Sequence, residues 1–218
     1  MPRPRLLDLF CCAGGAAMGY YRAGFDVVGV DIKPQKRYPF EFIQADCLAL
    51  GMDFIRGFDA VHASPPCQIH SITAKMTGAH GHIDLIPQTR AMLTDSGLPY
   101  IIENVPGAPM YDPVILCGLM FGLRVYRHRL FESNCFLLAP SHPAHRGYTN
   151  ASRSYSSFKD GASIICCAGH NFRREDGALA MKIDWPMTRK EMAQAIPPAY
   201  TEFLGRQLLS FIDQKEAA

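Results

Sequence analysis

Leu6-Leu7-Asp8-Leu9-Phe10-Cys11-Cys12-Ala13-Gly14-Gly15, followed by residues 16–23 and Gly24, is the stretch whose reading decides the fold. Its first five residues are a short, mostly apolar run of the kind that forms a buried strand. The next five are small, and residues 16–23 then have helical character up to Gly24, the residue type that most readily closes a helix. Strand, small-residue turn and helix in this order form the opening unit of a doubly wound α/β sheet. Such a turn lets backbone N–H groups and a helix N-terminus come close to a ligand. Glycine-rich turns between strand and helix are also ordinary packing devices, so the flanking sequence has to decide.

Downstream, residues 25–31 predict a second buried strand with Asp31 at its carboxyl end. An acid there hydrogen-bonds ribose hydroxyls in dinucleotide-binding folds, and Asp31 lies somewhat under ~20 residues beyond the turn, near the spacing those folds use. It can equally be a turn former. Residues 40–44 predict a third strand, with Asp46 and Cys47 just past its end as a second acid-bearing position on the same rim. A fourth strand over residues 59–63 delivers Ala63-Ser64-Pro65-Pro66-Cys67-Gln68. Two consecutive prolines hold the chain extended, so Cys67 is a candidate nucleophile at the strand ends, where open α/β sheets place ligands. A lone cysteine is more often a core residue.

The polar residues 70–82, with Gly78 and Gly81, read either as a gating loop or as a surface loop. Helical character resumes over 84–93, with Pro87 placed in the first turn. Tyr100-Ile101-Ile102-Glu103-Asn104-Val105 is an apolar strand ending in a carboxylate. That carboxylate is costly to bury without a partner, so Glu103 either pairs locally or, the favoured reading, awaits a ligand. Arg127 and Arg129, two apart, are expected on one face of a strand over 124–131. From 134 to about 183 the pattern loosens into basic residues interleaved with Tyr148, Tyr155, Phe158 and Phe172, as in surfaces that meet phosphates and bases. Cys135, His142, His145, Cys166, Cys167 and His170 offer metal-binding side chains there. No Cys-x-x-Cys pair is present, and the adjacent cysteines would point to opposite faces of an extended chain, so no metal is expected. Thr188-Arg189-Lys190-Glu191 is a capping box, and residues 199–211 predict a last helix whose core face carries Tyr200, Phe203, Leu204, Leu208 and Phe211.

With 218 residues, 48% hydrophobic and 19% charged, the chain suits one α/β domain with a small appendage. No apolar run is long enough for a membrane span, and Met1-Pro2-Arg3-Pro4-Arg5 leads directly into a strand without a signal-peptide pattern. A soluble, cytoplasmic protein is expected. The eight cysteines are not spaced as a small secreted framework and are read as reduced. A net charge of +2 neither demands nor excludes a nucleic-acid partner.

Taken in order, these motifs resemble the cytosine-C5 DNA methyltransferase family, in its small phage or bacterial form, as in restriction–modification. The match runs through Asp8-Leu9-Phe10 with Gly14-Gly15, Asp31, Asp46, Pro66-Cys67-Gln68, Glu103-Asn104-Val105, Arg127-x-Arg129 and the closing helix. The resemblance implies a Rossmann-like, S-adenosylmethionine-dependent methyltransferase fold with a small, irregular target-recognition segment. Its implied divisions are residues 1–133 for cofactor and catalysis, 134–185 for target recognition and 186–218 for helices returning to the first part. Cys67 would add to C6 of a cytosine flipped out of double-stranded DNA, with Glu103 at N3, Arg129 at O2 and Arg127 supporting the Cys67 loop. Residues 70–82 would close over the base. For S-adenosylmethionine, the resemblance implies Phe10 stacked on adenine, Ala13 to Gly15 at the methionine end, Asp31 at the ribose and Asp46 with Cys47 at the adenine edge. Cys12, Ile32 and Pro66 fall in the same cofactor-binding stretches. Three positions depart from the family pattern: Cys12 and Val125 stand where Gly and Gln are usual, and Ile196 to Thr201 replaces a Gly-Asn-x-Val motif, leaving Thr201 as the stand-in contact. The expected form is a monomer. The same motifs also fit a tRNA cytosine-C5 methyltransferase or a catalytically weak DNA-binding relative.

Overall fold

The computed structural model describes residues 2–66, 83–146, 157, 159, 162–169 and 171–216. Strands β1 (Arg5–Leu9), β2 (Asp26–Asp31), β3 (Glu41–Gln44), β4 (Ala60–Ala63), β5 (Tyr100–Asn104), β6 (Val114–Leu116) and β7 (Arg129–Ser133) form one sheet in the order β3-β2-β1-β4-β5-β7-β6. The pairs from β3 through β5 are parallel, and β7 lies antiparallel between β5 and β6. Helices α1 (Gly15–Ala23), α2 (Met52–Ile55), α3 (Ile86–Ser96), α4 (Arg174–Met181), α5 (Arg189–Gln194) and α6 (Pro198–Glu216) complete the described elements, with short 3-10 turns at Cys47–Ala49 and Gly118–Phe121.

A parallel sheet must be covered on both faces, and the strands show it: all five residues of β5 are buried, as are the last four of β1 and the last five of β2. Alternation along the strands divides the core. Leu6, Val27, Ala60 and Ile101 face α1 and α6, with Tyr20, Tyr200 and Leu204. Leu7, Leu9, Val28, Val61 and Ile102 face the other side, with Leu93 and Phe58. Asp8 pairs in register with His62, and His62 with Ile101. By the two-residue period, Asp8, His62, Ser64 and Glu103 therefore share the face that α1 covers.

The opening unit forms as the sequence predicts: α1 is closed by Gly24, whose N–H bonds the carbonyls of Tyr20 and Tyr21. The capping box also forms, the Thr188 hydroxyl accepting from Glu191 N and the Glu191 carboxylate accepting from Thr188 N at 2.6 Å. Two expectations are corrected. First, the strand expected over 124–131 is β7, beginning at Arg129. Before it, Arg124 and Tyr126 spend their backbone groups on Ala180, Ile165 and Gly118 instead of a neighbouring strand, and Arg127 turns into the left-handed region with φ 36°. Arg127 and Arg129 therefore do not share a strand face. Second, α6 runs on to Glu216, so its buried stripe is Tyr200, Leu204, Leu208 and Ile212, while Phe211 is 38% exposed. A four-residue repeat carried over three turns puts Ile212, not Phe211, inward. The described part of 134–185 packs against the rest of the chain. It includes α4, and Cys135, Ile165, Phe172 and Met181 join the core that α1 and α6 form.

Candidate active site

The turn from β1 into α1 carries three left-handed residues, Phe10 (φ 56°), Cys12 (φ 47°) and Gly14 (φ 83°). Left-handed backbone at a non-glycine residue costs on the order of 1–3 kcal/mol and persists only where surroundings enforce it. Here the enforcement is visible. Phe10 N donates to Cys47 Sγ at 3.3 Å, Cys11 N to Val30 O at 3.1 Å and Cys12 N to Asp31 Oδ2 at 3.1 Å. Trp185 Nε1 donates to Ala13 O at 3.0 Å from the far end of the chain. Gly15 has to be glycine, since a Cβ there would stand 2.6 Å from the Ile196 carbonyl oxygen.

This turn forms one wall of a cavity of about 300 Å³. The cavity lies at the carboxyl ends of the parallel strands, beside the position where the strand order reverses around β1 and β4, the usual ligand crevice of open α/β sheets. Phe10, Cys12, Gly15, Asp31, Ile32 and Pro66, all sequence candidates for cofactor binding, line it. Ser64 and Pro65 from the end of β4, Glu103 and Val105 from β5, Arg129 from β7 and residues 193–196 close it. Asp31 accepts from Cys12 N through one oxygen and from Lys33 N at 2.9 Å through the other, and each oxygen keeps a second lone pair.

The remaining cofactor candidates are not in the cavity wall. Cys47 is buried under the turn, holding Phe10 N. Asp46 is exposed and caps the following 3-10 turn through Leu48 N. Ala13 and Gly14 belong to the turn but not to the lining, the first holding Trp185 and the second lying against Tyr38 and Pro39. Thr201 is fully buried, donating to the Ala16 carbonyl at 2.8 Å, so it joins α6 to α1. Residues 193–196 meet the cavity in its place.

Glu103 is 6% exposed, and its Oε1 receives Arg129 Nε at 2.9 Å. Burial pushes its carboxyl above the usual range, against the opposing pull of Arg129, Arg127 and a hydrogen bond from Ser64. Arg129 Nη1 donates to the His128 carbonyl at 2.8 Å, and Nη2 has no partner among the described residues. Arg127 does not join this pair. Its Nη1 and Nη2 donate to the carbonyls of Cys167 (2.8 Å) and Ala193 (2.7 Å), bracing the chain around α5, and burial pulls its guanidinium down to about 10. Asn104 donates from Nδ2 to the Pro65 carbonyl at 3.0 Å, fixing the strand end that precedes Cys67. Cys67 and residues 70–82 lie outside the described residues.

Sequence reasoning missed a buried polar chain behind Glu103. Tyr20 Oη lies 3.0 Å from His62 Nδ1, and His62 Nε2 lies 2.9 Å from Ser64 Oγ, which bonds Glu103 in turn. Burial pushes His62 down to about 3, so its ring is neutral. With burial also holding Tyr20 as a phenol, the consistent assignment is Tyr20 O–H to Nδ1, Nε2–H to Ser64 and Ser64 O–H to the Glu103 carboxylate. Asp8 was quoted only as part of a motif. It is fully buried, takes the Tyr38 hydroxyl at 3.3 Å on Oδ2 and leaves Oδ1 without a partner among the described residues. Burial pushes it up to about 8.

No protein-family model matches the chain, and no curated protein sequence does. Solved structures do. The DNMT2 of Spodoptera frugiperda, as a triple mutant, superposes with a TM-score of 0.63 at 13% identity over 94% of this chain and 99% of that one. The Dnmt2 methyltransferase of S. pombe gives 0.63 at 13% identity, over 97% and 100%. The methyltransferase EhMeth of Entamoeba histolytica gives 0.60 at 14%, over 97% and 99%. The chain has the Rossmann-like α/β fold of these methyltransferase structures. At these identities the likeness is one of fold. Among the described residues no helix is long and apolar enough to cross a membrane.

Proposed function

We propose that the chain transfers a methyl group from S-adenosylmethionine to C5 of a cytosine flipped out of double-stranded DNA, through a Cys67 thiolate adduct at C6. One observation carries this reading: a single cavity joins the left-handed turn after β1, the Pro65-Pro66 strand end that immediately precedes Cys67, and the buried Glu103–Arg129 pair.

The donor set fits the cofactor. Asp8 Oδ1, without a partner among the described residues, lines the cavity and would face a cationic ligand once the Asp8 proton is released, the Asp31 lone pairs suit ribose hydroxyls, and the Phe10 side chain offers an aromatic face. Bound there, S-adenosylmethionine supplies an electrophilic methyl group on a sulfonium, which a nucleophilic C5 can take with release of a neutral thioether.

The chain's own residues make C5 nucleophilic. Cys67 Sγ forms a bond to C6, and the electron pair of the C5–C6 double bond moves toward C5. Glu103, whose carboxyl burial pushes upward, gives a proton to N3 in this step and offsets the developing charge. Arg129 Nη2 donates to O2. After methyl transfer, loss of the C5 proton to a base re-forms the double bond, the C6–S bond breaks to regenerate the thiolate, and Glu103 recovers its proton. Water must be kept from the adduct, the role proposed for residues 70–82.

Incubation with labelled S-adenosylmethionine and duplex DNA containing 5-fluorocytosine tests this, because fluorine blocks the proton loss and traps the adduct. A covalent complex that disappears in Cys67→Ala supports the mechanism. Absence of methyl transfer to any DNA, with transfer to tRNA in a parallel competition, would replace the substrate. Absence with both would remove the reading.

A further inference from the structure

Away from the cavity, four side chains that can bind a metal converge. Cys117 follows β6, His128 precedes β7, and His142 and His145 lie in the chain that leaves the sheet after β7. One ligand atom from each of the four lies within 4.8 Å of every other. Cys117 Sγ is 3.4 Å from His145 Nε2, and the Nε2 atoms of His128 and His142 are 3.0 Å apart. A zinc ion bound tetrahedrally by nitrogen and sulfur requires ligand separations of roughly 3.3–3.8 Å, so closure needs only small shifts.

The surroundings are those of a ligand set rather than of four unrelated side chains. His142 Nδ1 lies 2.9 Å from the Pro143 carbonyl, to which it donates, leaving the Nε2 lone pair directed at the cluster. His145 is fixed by stacking on Tyr126, with ring centroids 4.0 Å apart. Cys117 is buried, and its Sγ lies against His145 Nε2 at the inner edge of the cluster. A Cys117 to His145 bond and a His128 to His142 bond would satisfy two pairs separately. They give no reason for both pairs to meet at one point.

We propose that Cys117, His128, His142 and His145 bind one zinc ion in a closed tetrahedral site. Four protein ligands leave no position for water or substrate, so the ion is structural. It ties residues 142–145 to the two ends of the β6–β7 connection, one residue from Arg129 and its pairing with Glu103. The exposure of His142 and His145 gives the ion a way in.

The test uses the full chain, untagged because a polyhistidine tag binds the same ions. Elemental analysis after purification from zinc-supplemented growth is expected to find about one zinc per chain. Cys117→Ser and His145→Ala are each expected to lose it, and Cys166→Ser, an exposed cysteine outside the cluster, to keep it. Because a ligand variant can fail to fold, chelator-treated wild type checked by circular dichroism is titrated with cobalt(II). One equivalent giving intense tetrahedral d–d bands with a thiolate-to-cobalt charge-transfer band supports the site. Zinc-free wild type that binds cobalt without the thiolate band, or zinc content that survives Cys117→Ser, overturns it.

Discussion

Two buried carboxyl groups, on the strands that flank β4, behave alike in isolation and serve different ends. Asp8 holds a proton in the folded chain up to about pH 8, whereas an unfolded aspartate releases it in the ordinary carboxylate range. The folded state therefore binds more protons across that window, and its stability falls as pH rises, with a slope approaching about 1.4 kcal/mol per pH unit, until both states are ionised above pH 8. Asp8→Asn removes the titration. Its Tm is expected to gain on wild type between pH 5 and about 8 and to run parallel above, which thermal melts across that range will read. Glu103, by contrast, is held between desolvation and two arginines, with Ser64 favouring its ionised form. Glu103→Gln is expected to lower the methyl-transfer rate by about 10²- to 10⁴-fold, the usual worth of a positioned acid. Ser64→Ala withdraws the bond that lowers the pKa, so Glu103 stays protonated to higher pH and the alkaline limb of the single-turnover rate moves upward. An unmoved limb would mean that Glu103 is not the titrating acid.

At the scale of elements, α1 and α6 meet through glycine. A Cβ on Gly19 would collide with Thr201 Oγ1 and with the Pro198 carbonyl, so the helices approach at backbone distance. Gly19→Ala must separate them or bend the Thr201 bond to Ala16, and overpacking of this kind costs about 1–3 kcal/mol. A lower urea midpoint with an unchanged slope is the expected result. This contact also shows where the sequence stops being informative. The β1 turn, α1, β2 and the Thr188 capping box are local features, and their residue types announce them. Thr201 is fixed by a helix 185 residues away, and without that contact it reads as a cofactor ligand. His62 reads as one polar residue in an apolar strand, because Tyr20 and Ser64 become its partners only once the strands are in register. The four convergent metal-binding side chains come from three separated stretches. Only His142 and His145 are close enough in sequence to be seen as a pair.

For the whole molecule, the main consequence of the fold is that its last third returns to the first turn. The chain has a single tryptophan, and its indole N–H donates to Ala13 O in the turn that lines the cavity, while its ring packs beside the core that α4 and α6 share with α1. Ligand binding in the cavity should therefore be felt at Trp185, and Trp185 should help hold the turn in its left-handed form. Titration with S-adenosylhomocysteine is expected to shift tryptophan emission saturably, with the same midpoint as calorimetry. Trp185→Phe keeps most of the ring's bulk but leaves the Ala13 carbonyl without its donor. A neutral hydrogen bond is worth about 0.5–1.5 kcal/mol, so affinity should weaken by roughly 2- to 13-fold. Equal affinity in the variant, with emission in wild type unchanged at saturation, would show that the turn holds its shape without residue 185. The strain at Phe10 and Cys12 would then rest on the bonds from Cys47, Val30 and Asp31 alone.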